Sequence, residues 1–338
     1  MRSTRIRPLV VAALFFALAL AGQPLLSGQS EPVVPKDAEA LAALDDHFTF
    51  LIAGDLGRNG YYHQKEVAEM MGEVAGLAGP DFVAVVGDTH HFLGVRSVHD
   101  PLWLTNFEWI YKHPELMIPW HAVLGNHEYR GRTQAVLDYG TVSRRWEMPD
   151  RYYALTEALS EGVEVLMLFI DTPPLIDKYR DDPVVHHDAG LQSMSRQLQW
   201  IDDTLGASDA RWKIVMGHHP VHAGTTKDEI ERSDLQERLQ PLLDKHRVDI
   251  AVSGHIHNFQ HIRVPGSDVD YFVNTSASQT RDVVHYEGAL FGSRDPGFTL
   301  CTVTESELII SFVNSEGQII YQHTRTKQQP VPGPYLEN

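Results

Sequence analysis

Five times along the chain a short apolar run ends in a glycine followed at once by a side chain able to bind a metal: Gly54-Asp55, Gly87-Asp88, Gly125-Asn126, Gly217-His218 and Gly254-His255. Two of these pairs open longer donor-rich strings, Gly125-Asn126-His127-Glu128 and Gly254-His255-Ile256-His257. Carboxylate, amide oxygen and imidazole form a mixed oxygen and nitrogen set suited to iron, manganese or zinc, without the thiolates of a structural zinc site. Taken singly, each pair has an ordinary explanation: Asp55 as a helix cap, Asn126 as a turn residue, His218 as a hydrogen-bonded histidine. The recurrence of one pattern at five run ends favours a shared site.

To bring these residues together, the runs 48–53, 82–86, 120–124, 212–216 and 248–253 must be strands, because ligands of open α/β sheets gather beyond the carboxyl ends of strands. A glycine there permits a sharp exit and a close approach of backbone to the ions. Between the first two runs, Val67, Met70, Met71, Val74 and Leu77 recur at helical spacing and predict a helix over 65–78. Further helices are expected over 191–205 and 228–246, the latter with Leu235, Leu239, Leu242 and Leu243 on one face. After residue 258 the pattern turns to hairpins, as in 308–314 and 318–323 about the turn Ser315-Glu316-Gly317. The alternation of strand and helix predicts an α/β fold.

A chain of 338 residues, 43% hydrophobic and 22% charged, buries a substantial core and carries no mark of disorder. The net charge of -17 argues against a nucleic-acid-binding surface, whereas a small anionic substrate is compatible with bound cations that reverse the field locally. The single cysteine, Cys301, excludes an intramolecular disulfide and reads as a small buried hydrophobe. Arg2, Arg5 and Arg7 ahead of the apolar stretch 9–21 read as a signal peptide over 1–21, with Ala19-Leu20-Ala21 before the cleavage point. No later segment is apolar enough to cross a membrane, so a secreted or periplasmic monomer without a stable membrane span after cleavage is expected. Residues 22–47, with Pro24, Pro32 and Pro35, read as a linker. The folded domain is expected over 48–325, and 326–338, with Pro330, Pro332 and Pro334, as an extended tail.

Together the strings resemble the metallophosphoesterases with a calcineurin-like fold, and among them the small purple acid phosphatases of the tartrate-resistant type. The resemblance runs from about residue 48 to 324 and includes Ser143-Arg144-Arg145-Trp146 and Gly217-His218-His219-Pro220-Val221. It implies a central β-sandwich flanked by helices, with a dimetal site at the carboxyl ends of the strands. It also implies that Asp55 and His257 bind one metal, that Asn126, His218 and His255 bind the other, and that Asp88 bridges them. The cofactors would be two divalent or trivalent ions, iron with iron, zinc or manganese. The family has a tyrosine three residues after the bridging aspartate, whose phenolate binds ferric iron and gives the colour; here that position is His91. Imidazole compensates less charge than phenolate, so a ferric ion does not follow from the resemblance. His91 is expected as the seventh ligand, with His90 as the alternative.

The implied reaction is hydrolysis of small phosphate monoesters by in-line attack of a metal-bound hydroxide, with no phosphoenzyme. His127, next to a ligand, is assigned to substrate positioning or to protonation of the leaving oxygen. A second acid of the family lies past the fourth motif, where His222 is the nearest candidate and an exposed loop histidine is the plain alternative. His186 and His187 read as surface-loop spectators, and Tyr61, Tyr62 and Tyr129 carry no assigned role. A phosphodiesterase or nucleotidase would use the same ligands, and a non-catalytic metal- or phosphate-binding protein is the reading from another class.

Overall fold

The computed structural model describes residues 34–44, 47–160 and 163–328; the expected signal peptide and nearly all of the expected tail lie outside the described residues. Among the described residues, fourteen strands form two sheets. In chain order they are β1 Phe48–Ala53, β2 Phe82–Val85, β3 Trp120–Ala122, β4 Trp146–Glu147, β5 Tyr153–Ser160, β6 Val163–Phe169 and β7 Trp212–Met216. The others are β8 Ile250–Ser253, β9 Phe259–Ile262, β10 Asp270–Val273, β11 Ala289–Ser293, β12 Gly297–Val303, β13 Glu307–Asn314 and β14 Ile319–Thr326. The first sheet runs β14-β13-β12-β1-β2-β3-β4 and the second β11-β9-β10-β8-β7-β6-β5. Parallel pairing joins β1 to β4 in one and β6, β7, β8 and β10 in the other, with antiparallel strands beyond.

Every residue of β1 and β2 is buried, as continuous apolar runs require when both faces of a sheet are covered. One hydrophobic core spans the two sheets: Phe259 of β9 stacks on Phe312 of β13 at 4.4 Å between ring centroids, and Phe169 of β6 meets His121 of β3 at 5.9 Å. This is the expected α/β sandwich with flanking helices. The crossover between β1 and β2 is the helix Gln64–Ala78, which buries Val67, Met70, Met71 and Val74 and stops at Gly79 in the left-handed region (φ 57°). The helix predicted over 228–246 is two, Ile230–Arg238 and Gln240–Lys245. Pro241 lies in the first turn of the second, where its missing N–H ends the first and starts the next.

Part of the expected linker is instead packed. Helix Ala38–Ala42 buries Leu41 in the core, Asp37 Oδ2 accepts the Ile319 N–H at 2.6 Å, and Lys36 N–H reaches the Glu316 carbonyl at 3.1 Å. Proline spacing marks this stretch as linker, but hydrogen bonds to the β13–β14 turn and the burial of Leu41 hold it. Cys301, on β12, is buried and free.

Candidate metal centre

The parallel strands of both sheets end on one side of the molecule and deliver the donors there. Asp55 follows β1, Asp88 follows β2 and Asn126 follows β3; His218 follows β7, and His255 and His257 follow β8. Hydrogen bonds stitch the two sheets together at this edge. His255 N–H donates to Asp55 Oδ2 at 2.9 Å, and the His218 Nδ1–H donates to the Val86 carbonyl at 2.8 Å. Asp55, Asp88, His255 and His257 all have left-handed backbones, with φ of 52°, 52°, 69° and 66°. Such residues are uncommon outside glycine, and they persist where surrounding structure forces them, above all at functional sites. Among the glycines before the ligands only Gly87 is itself left-handed (φ 83°). Gly125 is required by proximity, since a Cβ there would lie 2.2 Å from Asp88 Oδ1.

Each side chain is aimed by a second contact. With Nδ1 spent on a carbonyl, His218 turns Nε2 to within 3.2 Å of Asp88 Oδ2 and 3.3 Å of Asn126 Oδ1. His257 spends Nδ1 on the Gln279 carbonyl at 2.5 Å, leaving Nε2 3.1 Å from Asp55 Oδ1. His255 Nδ1 is 3.2 Å from His218 Nε2, and its Nε2 is 2.9 Å from Glu231 Oε2. Fixing one ring nitrogen to set the other is how ligand imidazoles are oriented. His91 Nε2 lies 3.3 Å from Asp88 Oδ2, with its ring 5.7 Å from that of His257. His90 points elsewhere, edge-on to Trp103 at 4.5 Å and 3.2 Å from Asn106 Nδ2.

The donors fit a pair of cations. Ligand atoms of Asp55, His91 and His257, and again of Asp55, Asp88 and His218, lie within 4.8 Å of one another. Asp55 Oδ1 and both nitrogens of His91 are buried without a hydrogen bond, an arrangement costing about 1–3 kcal/mol per group unless something binds them. Burial alone would raise the Asp88 carboxyl, but His218 and His127 outweigh it and hold it well below the usual carboxylate range. Asp55 is lowered too, as His257 and His218 override its burial. Burial works against a charge on His218, yet Asp88 lifts it to about 9 in the metal-free site, so an ion bound there would displace the proton from Nε2.

Two residues that carried no assignment in the sequence matter here. Glu128 is fully buried and accepts three backbone N–H groups, from Gly125 (2.8 Å), Asp88 (2.9 Å) and His90 (3.1 Å), so it ties the end of β2 to the end of β3. Burial, with Asp88 adding to it, pushes its carboxyl up to about 8. The position was legible only as part of the string Gly125-Asn126-His127-Glu128, which does not reveal which way the carboxylate turns. Lys227 is half-buried, with Nζ 3.0 Å from His255 Nε2. Burial, helped by Arg281, lowers its ammonium to about 8. No motif in the sequence marks Lys227 as part of the site.

His127 stands at the mouth of the cluster. Its N–H donates to Asp88 Oδ1 at 2.9 Å and its Nδ1–H to the Phe92 carbonyl at 2.7 Å, leaving Nε2 towards the site. Burial pushes its pKa down to about 3. His222, expected as the second acid, is not brought to the cluster: Nδ1 pairs with the Tyr286 hydroxyl at 2.9 Å and Nε2 with Gln240 Oε1 at 3.0 Å. The loop after β7 turns this ring onto Tyr271, at 4.7 Å. His186, expected on the surface, is buried against Tyr179 at 4.8 Å.

A family model for calcineurin-like phosphoesterases matches residues 48–259, and the chain belongs to that family of phosphoester hydrolases. Its curated relatives are purple acid phosphatases. Purple acid phosphatase 3 of Arabidopsis thaliana is 34% identical over 84% of this chain and 79% of its own length. Tartrate-resistant acid phosphatase type 5 of Sus scrofa is 27% identical over 81% of this chain and 85% of its own. Among solved structures, GAP50, the anchor in the inner membrane complex of Plasmodium, superposes with a TM-score of 0.71 at 24% identity, covering 84% of this chain and 90% of that one. Purple acid phosphatase PPD1 from yellow lupin gives 0.59 at 16% identity, over 83% of this chain and 54% of that one. At these identities the two structures speak for the fold alone.

Proposed function

We propose that the chain hydrolyses small phosphate monoesters at a dinuclear metal centre, as a secreted or periplasmic monomer. The observation that carries this reading is the convergence of Asp55, Asp88, His91, Asn126, His218, His255 and His257 in one buried cluster with His127 at its mouth. Asp55, His91 and His257 would hold one ion, Asn126, His218 and His255 the other, and Asp88 both. Two such ions, when bound, activate water and neutralise charge on the phosphoryl group.

The remaining work falls to side chains. His127 holds a proton at Nδ1 through the Phe92 carbonyl and offers Nε2 to the leaving oxygen. A bound phosphoester brings negative charge that raises this ring from its depressed pKa and so favours the proton it must deliver. Lys227 supplies an ammonium for a non-bridging oxygen, an interaction worth most for the second charge of a monoester. The reading is tested by steady-state rates on phenyl phosphate and methyl phenyl phosphate, which share a leaving group. A monoester preference of at least about tenfold is expected, narrowed in Lys227→Ala, with kcat about 10²-fold lower in His127→Ala. A strong diester preference in the parent protein would overturn it.

The ions are iron with iron, zinc or manganese. Because imidazole stands at residue 91 where the resemblance puts phenolate, the loaded protein is expected to lack the purple phenolate band. A visible spectrum taken with elemental analysis checks this, and a purple iron-containing sample would contradict the assignment of His91.

A further inference from the structure

Beside the cluster, Arg58, Asn59, Tyr61, Tyr62, His91 and Phe92 line an open cavity of about 530 Å³, a size suited to a small organic group. Three of these lining residues are aromatic and open to solvent, Tyr61 72% exposed, Tyr62 59% and Phe92 66%. Exposed aromatic patches of this kind mark contact with a ligand.

The backbone beneath them is fixed rather than loose. Asn59, Gly60 and Tyr62 are all left-handed (φ 53°, 76° and 56°), which is unfavourable for a tyrosine. Buried Gln64 accepts the N–H groups of Arg58 (3.1 Å) and Gly60 (2.7 Å), and Asn106 Oδ1 accepts that of Asn59 (2.6 Å). Arg58 is 6% exposed, its guanidinium lies over the Phe92 ring at 4.6 Å, and its Nε and Nη1 have no hydrogen-bond partner. Unspent donors on a buried cation call for an acceptor that arrives with a ligand.

The cavity adjoins the reacting groups directly. His91 belongs to both the cavity and the metal cluster, and Phe92, whose carbonyl holds His127, has its ring 6.2 Å from the His127 ring. A leaving oxygen at His127 therefore has its substituent beside Phe92.

We infer that this wall is the leaving-group subsite and selects phosphomonoesters whose alcohol presents a flat aromatic face, with an acceptor at its edge for Arg58. The inference rests on the monoesterase reading above and adds the substrate class to it. The test measures kcat/KM on glycerol phosphate, 1-naphthyl phosphate and a purine nucleoside 5′-phosphate for the metal-loaded parent, Tyr61→Ala/Tyr62→Ala and Arg58→Met. Ratios to the glycerol phosphate rate are compared between variants, which cancels the intrinsic reactivity of each ester. The double variant is expected to lower the ratio for at least one aromatic substrate about tenfold, mostly through KM. Which of the two falls further tells a simple aryl group from a nucleobase. Arg58→Met is expected to lower the nucleoside phosphate ratio and to spare that of naphthyl phosphate, which has no edge acceptor. Ratios unchanged within twofold in the double variant, or an equal loss on all three esters, would overturn the inference while leaving monoesterase activity intact. A parent protein that hydrolysed none of the three would instead overturn the monoesterase reading and the inference with it.

Discussion

Asp88→Asn is expected to lower kcat/KM by at least about 10³-fold and to reduce the metal content from two ions per chain to one or none. The magnitude follows from how fully this carboxylate is committed. Oδ1 accepts the His127 N–H at 2.9 Å, while Oδ2 lies within 3.3 Å of both His218 Nε2 and His91 Nε2. An amide has one acceptor in place of two and no charge, so it faces either the His127 N–H or an imidazole donor with its own NH₂ group. Folding is expected to survive, because the amide also removes a like charge from beside Asp55, and that separates a damaged site from a damaged fold. Steady-state kinetics with elemental analysis of the same sample provides the check. Activity within tenfold of the parent at full metal loading would rule out a bridging role.

Glu128→Leu is expected to cost on the order of 4 kcal/mol, because three buried backbone N–H groups lose their acceptor at once. That is a large share of the stability of an ordinary domain, and for a chain of this size it corresponds to a fall of roughly 6 °C in melting temperature. Glu128→Gln is expected to fall between the two, since its one oxygen still serves Gly125 and Asp88 while its NH₂ opposes the His90 N–H. Thermal unfolding of the metal-free proteins reads the effect without interference from bound ions. A leucine variant melting within about 2 °C of the parent would mean that these donors find other partners.

Strands that feed the cluster were legible because each lies in a short, mostly apolar run that leads to a glycine: β1 and β7 match the expected limits, and β2, β3 and β8 differ by one or two residues. The hairpin β5–β6 was not anticipated, since β5 is an edge strand with half of its side chains in water and lacks a continuous apolar run. The site was legible to the extent that a residue's place in the chain fixes its direction. Donors immediately after a strand have little freedom, so Asp55, Asp88, Asn126, His218 and His255 meet at the edge that their strands share. His91 was singled out over His90 because it stands where the resemblance puts a metal-binding tyrosine, and the two rings do diverge. Farther from a strand end this logic fails. His222 and Lys227 lie in one loop after β7, and only the path of that loop decides which reaches the cluster. The partners of Glu128 are likewise backbone groups from two strand ends, which no side-chain pattern reports.

The left-handed backbones at Asp55, Asp88, His255 and His257, and the hydrogen bonds that cross between the sheets beside them, are all made by the chain itself. A zinc finger, by contrast, gains its fold from its ion. Here the frame around the site rests on bonds and backbone conformations within the chain. A frame of that kind separates the choice of metal from the bonds that hold the fold, so the ions carried are expected to follow supply as well as affinity. Two preparations of the same sequence from media of different metal content can then share one fold and one melting curve in the metal-free state and yet differ in turnover.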